Sequence, residues 1–228
     1  MSSGSSPGFD SVISEAWAAL QDANHKAVAY NLRATQITKW KRLRDFISLG
    51  VAPGLLIATT VWSNEVLRNF LIAFSGICSL SSWLWELFGR SYNWENQLRV
   101  SIDVPPELSE IVSEMKETIE IFVNAQNNNN NQEARKAVAK LRELIQRVNS
   151  LRQEIRRDQV YASPWMNLMA TQNTMQSCSG KCGSCYQMWI PGSEVFNSDK
   201  AKRFLKKAKQ GKIKGICEFC GQKTPVKP

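Results

Sequence analysis

Histidine and catalytic motifs are nearly absent from this sequence. The 228-residue chain has a single histidine, His25, and it lies in a stretch of helical apolar periodicity, where packing or solvent exposure is its expected role. The sequence contains no Walker phosphate loop, no nucleophile elbow and no carboxylate pair in an apolar setting. These absences argue against the common hydrolase, kinase and acid–base mechanisms, and we expect a protein that is not an enzyme.

Charge is missing from two neighbouring runs, 46–62 and 70–85. The first run has 17 residues, which form about 26 Å of helix at ~1.5 Å per residue, against a hydrocarbon core of roughly 30 Å. The second run is similar. Neither run contains Asp, Glu, Lys, Arg or His, which argues against a proton relay or an ion-coupled carrier. We predict membrane spans at about 46–62 and 70–88; the alternative is a buried helical hairpin in a soluble protein.

Lysine and arginine are missing from the first twenty residues. Because this stretch also lacks a continuous apolar core, we do not expect a cleaved signal peptide. Positive charges instead cluster before the first run, in 39–44, and follow the second at Arg90 and Arg99, whereas the intervening loop has only Arg68. The positive-inside rule then predicts that both ends of the chain are cytoplasmic. Tryptophans mark the expected membrane–water interfaces: Trp40, Trp62, Trp83 and Trp85.

The rest of the chain has helical patterns. Residues 1–8 are small and polar, and we expect them to be disordered. Residues 9–44 contain no proline and have the periodicity of a long amphipathic helix that feeds directly into the first span. The second span is expected to continue through 91–103, until Pro105 and Pro106 end that element and begin another. The first predicted domain is therefore 9–104.

The section 105–165 has the pattern of a cytoplasmic helical hairpin. Its first helix has an acidic face and an apolar face, the latter formed by Leu108, Ile111, Val112, Met115, Ile119 and Phe122. The Asn-rich segment 124–132 is expected to be a turn that packs against nothing. The second helix is basic and has a coiled-coil heptad seam, formed by Ala137, Leu141, Leu144, Val148, Leu151 and Ile155. Opposite charges favour an antiparallel pair; the alternative is pairing with other subunits.

Cysteines are concentrated in the last section, 171–228, which holds five of the six. Cys182 and Cys185 form one pair and Cys217 and Cys220 another, and the gap of two residues lets both thiolates of a tight turn reach the same metal ion. Two such turns complete a tetrahedral site of the structural type, so we predict a zinc-ribbon-like module with a structural zinc ion. The redox alternative lacks the βαβ pattern that surrounds such pairs. Cys178 is expected to be a bystander; the alternative is that it replaces Cys182 as a ligand.

The tail around these cysteines is strongly basic. Residues 186–228 contain ten lysines and arginines against three acidic residues, which is +7 of the chain's formal charge of +9. Such a tail is suited to nucleic-acid phosphates or to anionic lipid headgroups. The plain alternative is a solvated positive face.

Small residues in the two runs suggest how spans associate. Gly50, Gly54 and Ala58 recur every four residues and leave one side of the first span flat for close helix approach, which predicts a homo-oligomer. Pro53 allows a kink. A second stripe predicts a water-filled lumen in such an oligomer, formed by Ser75, Ser79 and Ser82. The alternative for each serine is a hydrogen bond to a carbonyl one turn earlier.

The order of these features resembles the SLATT family of bacterial two-span effectors over roughly 10–165. The residues that carry the resemblance are His25 to Tyr30, Arg33 and 39–44 before the hairpin, and Tyr92, Trp94 and Arg99 after it. The resemblance implies a link to mobile elements and antiphage defence, a location in the bacterial inner membrane, and oligomerisation into a pore when a partner signals infection. Some relatives are implied to end in paired CxxC motifs, with a spacing shorter than the gap in this chain.

Two functions from different classes follow. In the first, the chain is a pore-forming or membrane-disrupting effector, regulated through its cytoplasmic helices, its zinc module and a sensor protein. In the second, it is a membrane-tethered zinc-ribbon module that binds nucleic acid, anionic lipid or a protein adaptor, and the hairpin is only an anchor.

Overall fold

A computed structural model describes residues 7–61, 64–91, 93–157, 162–178, 182, 184–185, 187–188 and 196–223. Over these residues the chain is mainly helical and has no strand, although an isolated antiparallel bridge joins Ile216 to Lys223. The helices are α1 (Pro7–Phe46), α2 (Ala52–Val61), α3 (Glu65–Ser91), α4 (Trp94–Asn127), α5 (Asn131–Arg157), α6 (Pro164–Ser177) and α7 (Ser198–Lys209). The prediction of a mainly α fold is confirmed. The predicted disordered start lies outside the described residues up to residue 6.

The chain divides into two compact units. One, here the hairpin unit, is 33–99; the other, here the bundle unit, combines 1–32 with 100–228. The predicted domain boundary between 104 and 105 does not coincide with this division. Both α1 and α4 contribute residues to both units, because each helix is continuous across a boundary.

The bundle unit has one apolar core, built from the first half of α1 with α4 and α5. Every apolar position named above for the acidic and basic helices is buried in this core. The two helices run antiparallel, because Lys140 pairs with Glu114 at 3.3 Å and Arg147 pairs with Glu107 at 3.9 Å. The α1 positions Val12, Ala16 and Leu20 are buried against them, as the periodicity predicts.

The prediction that Pro105 and Pro106 end a helix is wrong. Both lie inside α4, which runs without a break from Trp94 to Asn127. Each proline removes one backbone hydrogen bond, and an interior proline disfavours a helix by about 3 kcal/mol. Packing overrides this local cost, since Val104 and Leu108 on either side are buried in the core.

The Asn-rich turn is tighter than predicted. The helices continue to Asn127 and resume at Asn131, and Asn129 adopts a left-handed φ of 53°. The Asn130 backbone N–H donates to the Ala125 carbonyl, while its side chain accepts from the Glu133 N–H at 3.2 Å and donates to the Glu133 carboxylate at 2.9 Å. This is a helix C-cap followed at once by an N-cap. Ala125 is buried in the core, so part of this segment does pack against the bundle, contrary to the prediction.

The hairpin unit contains α2 and α3, which pack against each other. Asn64 caps α3, because its side-chain oxygen accepts from the N–H groups of Val66 and Leu67. A π-helical turn, Ile47–Val51, immediately precedes Pro53, so the helix is irregular where the proline predicts a kink. The predicted continuation of α3 through 91–103 is wrong, since Asn93, with a φ of 52°, separates α3 from α4.

Two helical segments are long and apolar enough to cross a membrane, Ser11–Val61 and Glu65–Arg90. Their most apolar windows are 0% and 11% buried inside the chain. A hairpin at the core of a soluble domain would be mostly buried. In the single chain, the apolar surface of this hairpin is therefore left uncovered.

Candidate metal centre

The two cysteine pairs meet in the bundle unit. The sulfur atoms of Cys182, Cys185, Cys217 and Cys220 all lie within 4.8 Å of one another. Two separations across the pairs are 4.0 Å, for Cys182 and Cys217, and 3.6 Å, for Cys185 and Cys220. A tetrahedral site with metal–sulfur bonds of about 2.3 Å requires sulfur atoms roughly 3.8 Å apart, whereas a disulfide requires about 2.05 Å. The arrangement fits a four-thiolate metal site.

The two turns that hold the cysteines share one backbone hydrogen bond. The Cys182 N–H donates to the Gln187 carbonyl at 3.0 Å, and the Cys217 N–H donates to the Gln222 carbonyl at 2.8 Å. Each acceptor lies five residues after its donor. The sequence shows this repeat as Cys-x-x-Cys-x-Gln in both places, a signal that the cysteine spacing alone missed.

Backbone N–H groups also point at the thiols. Burial raises the pKa of the Cys217 thiol, but hydrogen bonds from the backbone of Cys220 and Phe219 outweigh it and leave this pKa below its usual value. Burial raises the pKa of Cys185 and Cys220 against donation from the backbone of Gln187 and Gln222. Such donors stabilise thiolates, which are the form that binds a metal.

Gln172 in α6 holds the second turn in place, and its role was not predicted. Its side-chain N–H donates to the Cys220 carbonyl at 3.1 Å, and its side-chain oxygen accepts from the Phe196 N–H at 2.9 Å. Gln172 is 3% exposed. Gly221 makes this close approach tolerable: its φ is +73°, and an added Cβ would lie 2.9 Å from the Gln172 side-chain nitrogen. No local sequence signal connects residues 48 positions apart.

Helix α6 also contacts the helices of the bundle. The Asn24 side chain donates to the hydroxyls of Thr174 and Ser177, at 3.1 and 3.0 Å. Lys116 donates to the Ser177 carbonyl at 3.3 Å. The metal centre is thus attached, through α6, to α1 and α4. Cys178 packs in the core of the bundle and is not among the four clustered thiols.

Helix α7 displays the basic residues of the tail. Asn197 caps its start by accepting from the Lys200 N–H, and Ala201 is buried. Phe196 stacks near Phe204, with ring centroids 5.1 Å apart, and Lys202 lies 5.0 Å from the Trp165 ring. The cationic side chains of the helix are exposed to solvent: Lys200, Lys202, Arg203, Lys206, Lys207 and Lys209.

The predicted association stripe of the first span is largely accessible in the single chain. Gly50 and Gly54 are exposed, Ala58 is half-buried, and no atom lies within 4 Å of a Cβ added at Gly54. Gly76 in α3 is open in the same way.

The serine stripe does not share one environment. Ser75 is 2% exposed, Ser82 is half-buried and Ser79 is exposed. Ser75 is thus buried within the hairpin unit, and the lumen position of the three serines stays a prediction.

Neither a protein-family model, nor a curated protein, nor a solved structure matches this chain. The resemblance to the SLATT family therefore stays a prediction.

Proposed function

We propose that the chain is a membrane-disrupting effector whose hairpin unit enters a bacterial inner membrane and associates with other copies. One observation carries this proposal: the apolar residues of α2 and α3 are exposed along nearly their whole length. A contiguous apolar surface of this kind marks a membrane or protein contact. The exposed side chains of these two helices include Leu56, Ile57, Val61, Phe70, Ile77, Leu80 and Trp83, and Phe46 and Leu49 just before α2 are exposed as well.

Association between copies is supported by the open glycines. Without a hydrophobic driving force inside lipid, helices associate where small residues let backbones approach closely. Gly54 and Gly76 leave such open places on the outer surface of the hairpin unit. A second copy of the chain supplies the simplest complementary surface.

The bundle unit and the metal centre supply the regulated part of this proposal. Four thiolates fill every position of a tetrahedral ion, which is the structural arrangement typical of zinc. Zinc would then stabilise a segment with little apolar core of its own. We place this unit and both chain ends in the cytoplasm, where an unidentified sensor protein acts on it.

Dye release from liposomes tests the effector function. We expect the full chain to release a trapped dye, and Gly54→Leu to reduce the release by blocking close helix approach. Thr60→Leu is the matched control, because Thr60 is exposed on a different side of α2. The proposal would be contradicted if liposomes that carry many copies of the protein keep the dye even when bacterial proteins that bind the bundle unit are present.

A second candidate function, the membrane-tethered binding module, is favoured by the exposed cations of α7. The phosphates of nucleic acid attract such a helix through counterion release, so binding must weaken steeply with salt. We expect a salt-dependent shift of labelled single-stranded DNA by the full chain in detergent micelles if this function is correct. Lys206→Gln together with Lys207→Gln would then weaken the shift. Efficient dye release without any DNA shift favours the effector.

A further inference from the structure

A cavity in the hairpin unit has an unusual lining for its size. It encloses about 210 Å³, and it is lined by Arg33, Gln36, Ile37, Trp40, Trp85 and Trp94. The three indole rings form a row in space with Trp85 in the middle. The ring centroids of Trp40 and Trp85 are 5.2 Å apart, and those of Trp85 and Trp94 are 5.7 Å apart. We refer to it as the tryptophan cavity.

Among the described residues that line this cavity, Arg33 alone carries a charge. Its two terminal nitrogens donate to the amide oxygens of Gln36 and Gln97, at 3.3 and 3.1 Å. Its Nε is buried and has no hydrogen-bond partner among the described residues, and within the same residues no carboxylate pairs with Arg33. Burial lowers the pKa of Arg33. Arg33 is half-buried, and a guanidinium partly withdrawn from water without a counter-charge is compensated best by an anion with two oxygens.

The neighbouring cavity does not offer the same site. It shares Trp85 and Trp94, but carboxylates line it beside its cations Lys41, Arg44 and Arg90. Arg90 pairs with Glu86 at 2.8 Å, Glu95 also lines the cavity, and Arg44 pairs with the nearby Asp45 at 2.7 Å. Gly89 lines this second cavity, and a Cβ there would lie 3.3 Å from the Trp94 ring. Gly89 thus allows Trp94 its position at the edge of both cavities.

The position along the helices indicates which anion this is. Trp40 precedes Phe46, the start of the uncharged run, by six residues, and Trp85 ends the other run. Indoles prefer the membrane–water interface, where lipid phosphates lie. Exposed Leu43 and Phe88 near the same ends offer a path for acyl chains. A phosphate bound to Arg33 would therefore lie at headgroup depth.

We propose that the tryptophan cavity binds the phosphodiester of an anionic phospholipid in the inner leaflet, with Arg33 as its ligand. This inference rests on the membrane insertion proposed above, but it does not require pore formation. The bound lipid would fix the depth of the hairpin at its cytoplasmic end.

Native mass spectrometry of the full chain in detergent micelles tests this site. We expect one short-chain phosphatidylglycerol to bind per chain, and Arg33→Gln to weaken that binding at least about tenfold, the loss of a charged hydrogen-bond pair. Arg33→Lys should retain part of it. Arg42→Gln is the matched control, because Arg42 is exposed on the same helix and lines neither cavity.

Three results would overturn the site. Equal binding by Arg33→Gln and Arg42→Gln would show that the lipid binds elsewhere. Equal binding of a phosphate-free diacylglycerol would show that the cavity does not recognise the phosphate. Displacement of the lipid by inorganic phosphate at a matching concentration would show that the cavity binds free phosphate rather than a lipid. Because binding is counted in micelles, a failure of dye release leaves this test unaffected.

Discussion

His25 shows how burial changes the chemistry of one side chain. Burial lowers its pKa, in spite of a hydrogen bond to the Asn167 backbone and the nearby carboxylate of Asp22. The imidazole therefore stays neutral in the fold at a pH where the unfolded chain takes up a proton. The histidine helps to pack α1 against α6, which agrees with a structural role.

The stability of the bundle unit should consequently fall with acidification. The unfolded chain binds a proton near pH 6.5, whereas folded His25 does so only at lower pH. Stability is therefore lost as pH drops through 6.5 toward the folded pKa, by at most ~1.4 kcal/mol per pH unit. His25→Gln should flatten this dependence in urea unfolding followed by circular dichroism. An unchanged slope in the variant would contradict this role.

Asp22 also makes stability depend on pH, but in a pH range separate from that of His25. Burial by itself raises the pKa of Asp22, but hydrogen bonds from Lys26 and Arg152 outweigh it, so the pKa lies below its usual value. Its contribution is present above pH 3.8, the value for the unfolded chain, and is lost as pH falls through the lower folded pKa. It therefore does not affect the His25 window.

Gly221 is the residue where the metal centre tolerates least change. Gly221→Ala would place a Cβ 2.9 Å from the Gln172 side chain and 3.0 Å from the Phe196 ring. We expect weaker zinc retention, measured as metal content after dialysis against a mild chelator. Gly211→Ala is the control, because its φ of +67° is similar but nothing lies within 4 Å. Equal loss in both variants would mean that φ alone matters.

At the scale of elements, the metal turns and the bundle have separate cores. The buried cysteines cluster with Met175, whereas the bundle core contains neither cysteine pair. Chelation, or Cys217→Ser with Cys220→Ser, should therefore unfold the segment that includes α7 and leave α1, α4 and α5 helical. Proteolysis should become rapid within α7 while most of the circular dichroism is retained. Unchanged metal content in the double variant would refute the site.

The continuity of α4 across two prolines has a local cost, because each proline removes a backbone hydrogen bond. Pro106 is exposed, so Pro106→Ala removes no core packing and restores one backbone hydrogen bond. We expect the variant to be stabilised by about 1–3 kcal/mol in urea unfolding. Pro7→Ala, at the first residue of α1, is the control, because a proline there interrupts no helical bond. Destabilisation by Pro106→Ala would contradict this expectation.

The sequence predicts some elements well and others poorly for physical reasons. The faces of α4 and α5 were predictable, because burial follows helical period over many turns. The continuity across Pro105 was not, since the burial of Val104 and Leu108 outweighs local preference there. The break at Asn93 was not either, because it depends on a left-handed φ that hydrophobic periodicity does not show. At the metal centre, the cysteines and the Cys-x-x-Cys-x-Gln repeat are visible in the sequence. Gln172 is not, because it acts across 48 residues.

At the scale of the whole molecule, the bundle unit buries most of its large apolar side chains, whereas the hairpin unit exposes most of them. This contrast is the basis for placing the hairpin in lipid, the centre of the account. It follows that the turn at Asn64 should lie on one side of the membrane and both chain ends on the other side. The cluster 39–44 and the tryptophan cavity would then lie on the cytoplasmic side.

Alkaline phosphatase fusions expressed in bacteria test this placement most directly, because the enzyme is active only outside the cytoplasm. We expect phosphatase activity when it is inserted after Asn64, and none when it follows the last residue, with both fusions resistant to carbonate extraction from membranes. Activity at neither position, together with release of the protein by carbonate, would contradict the account.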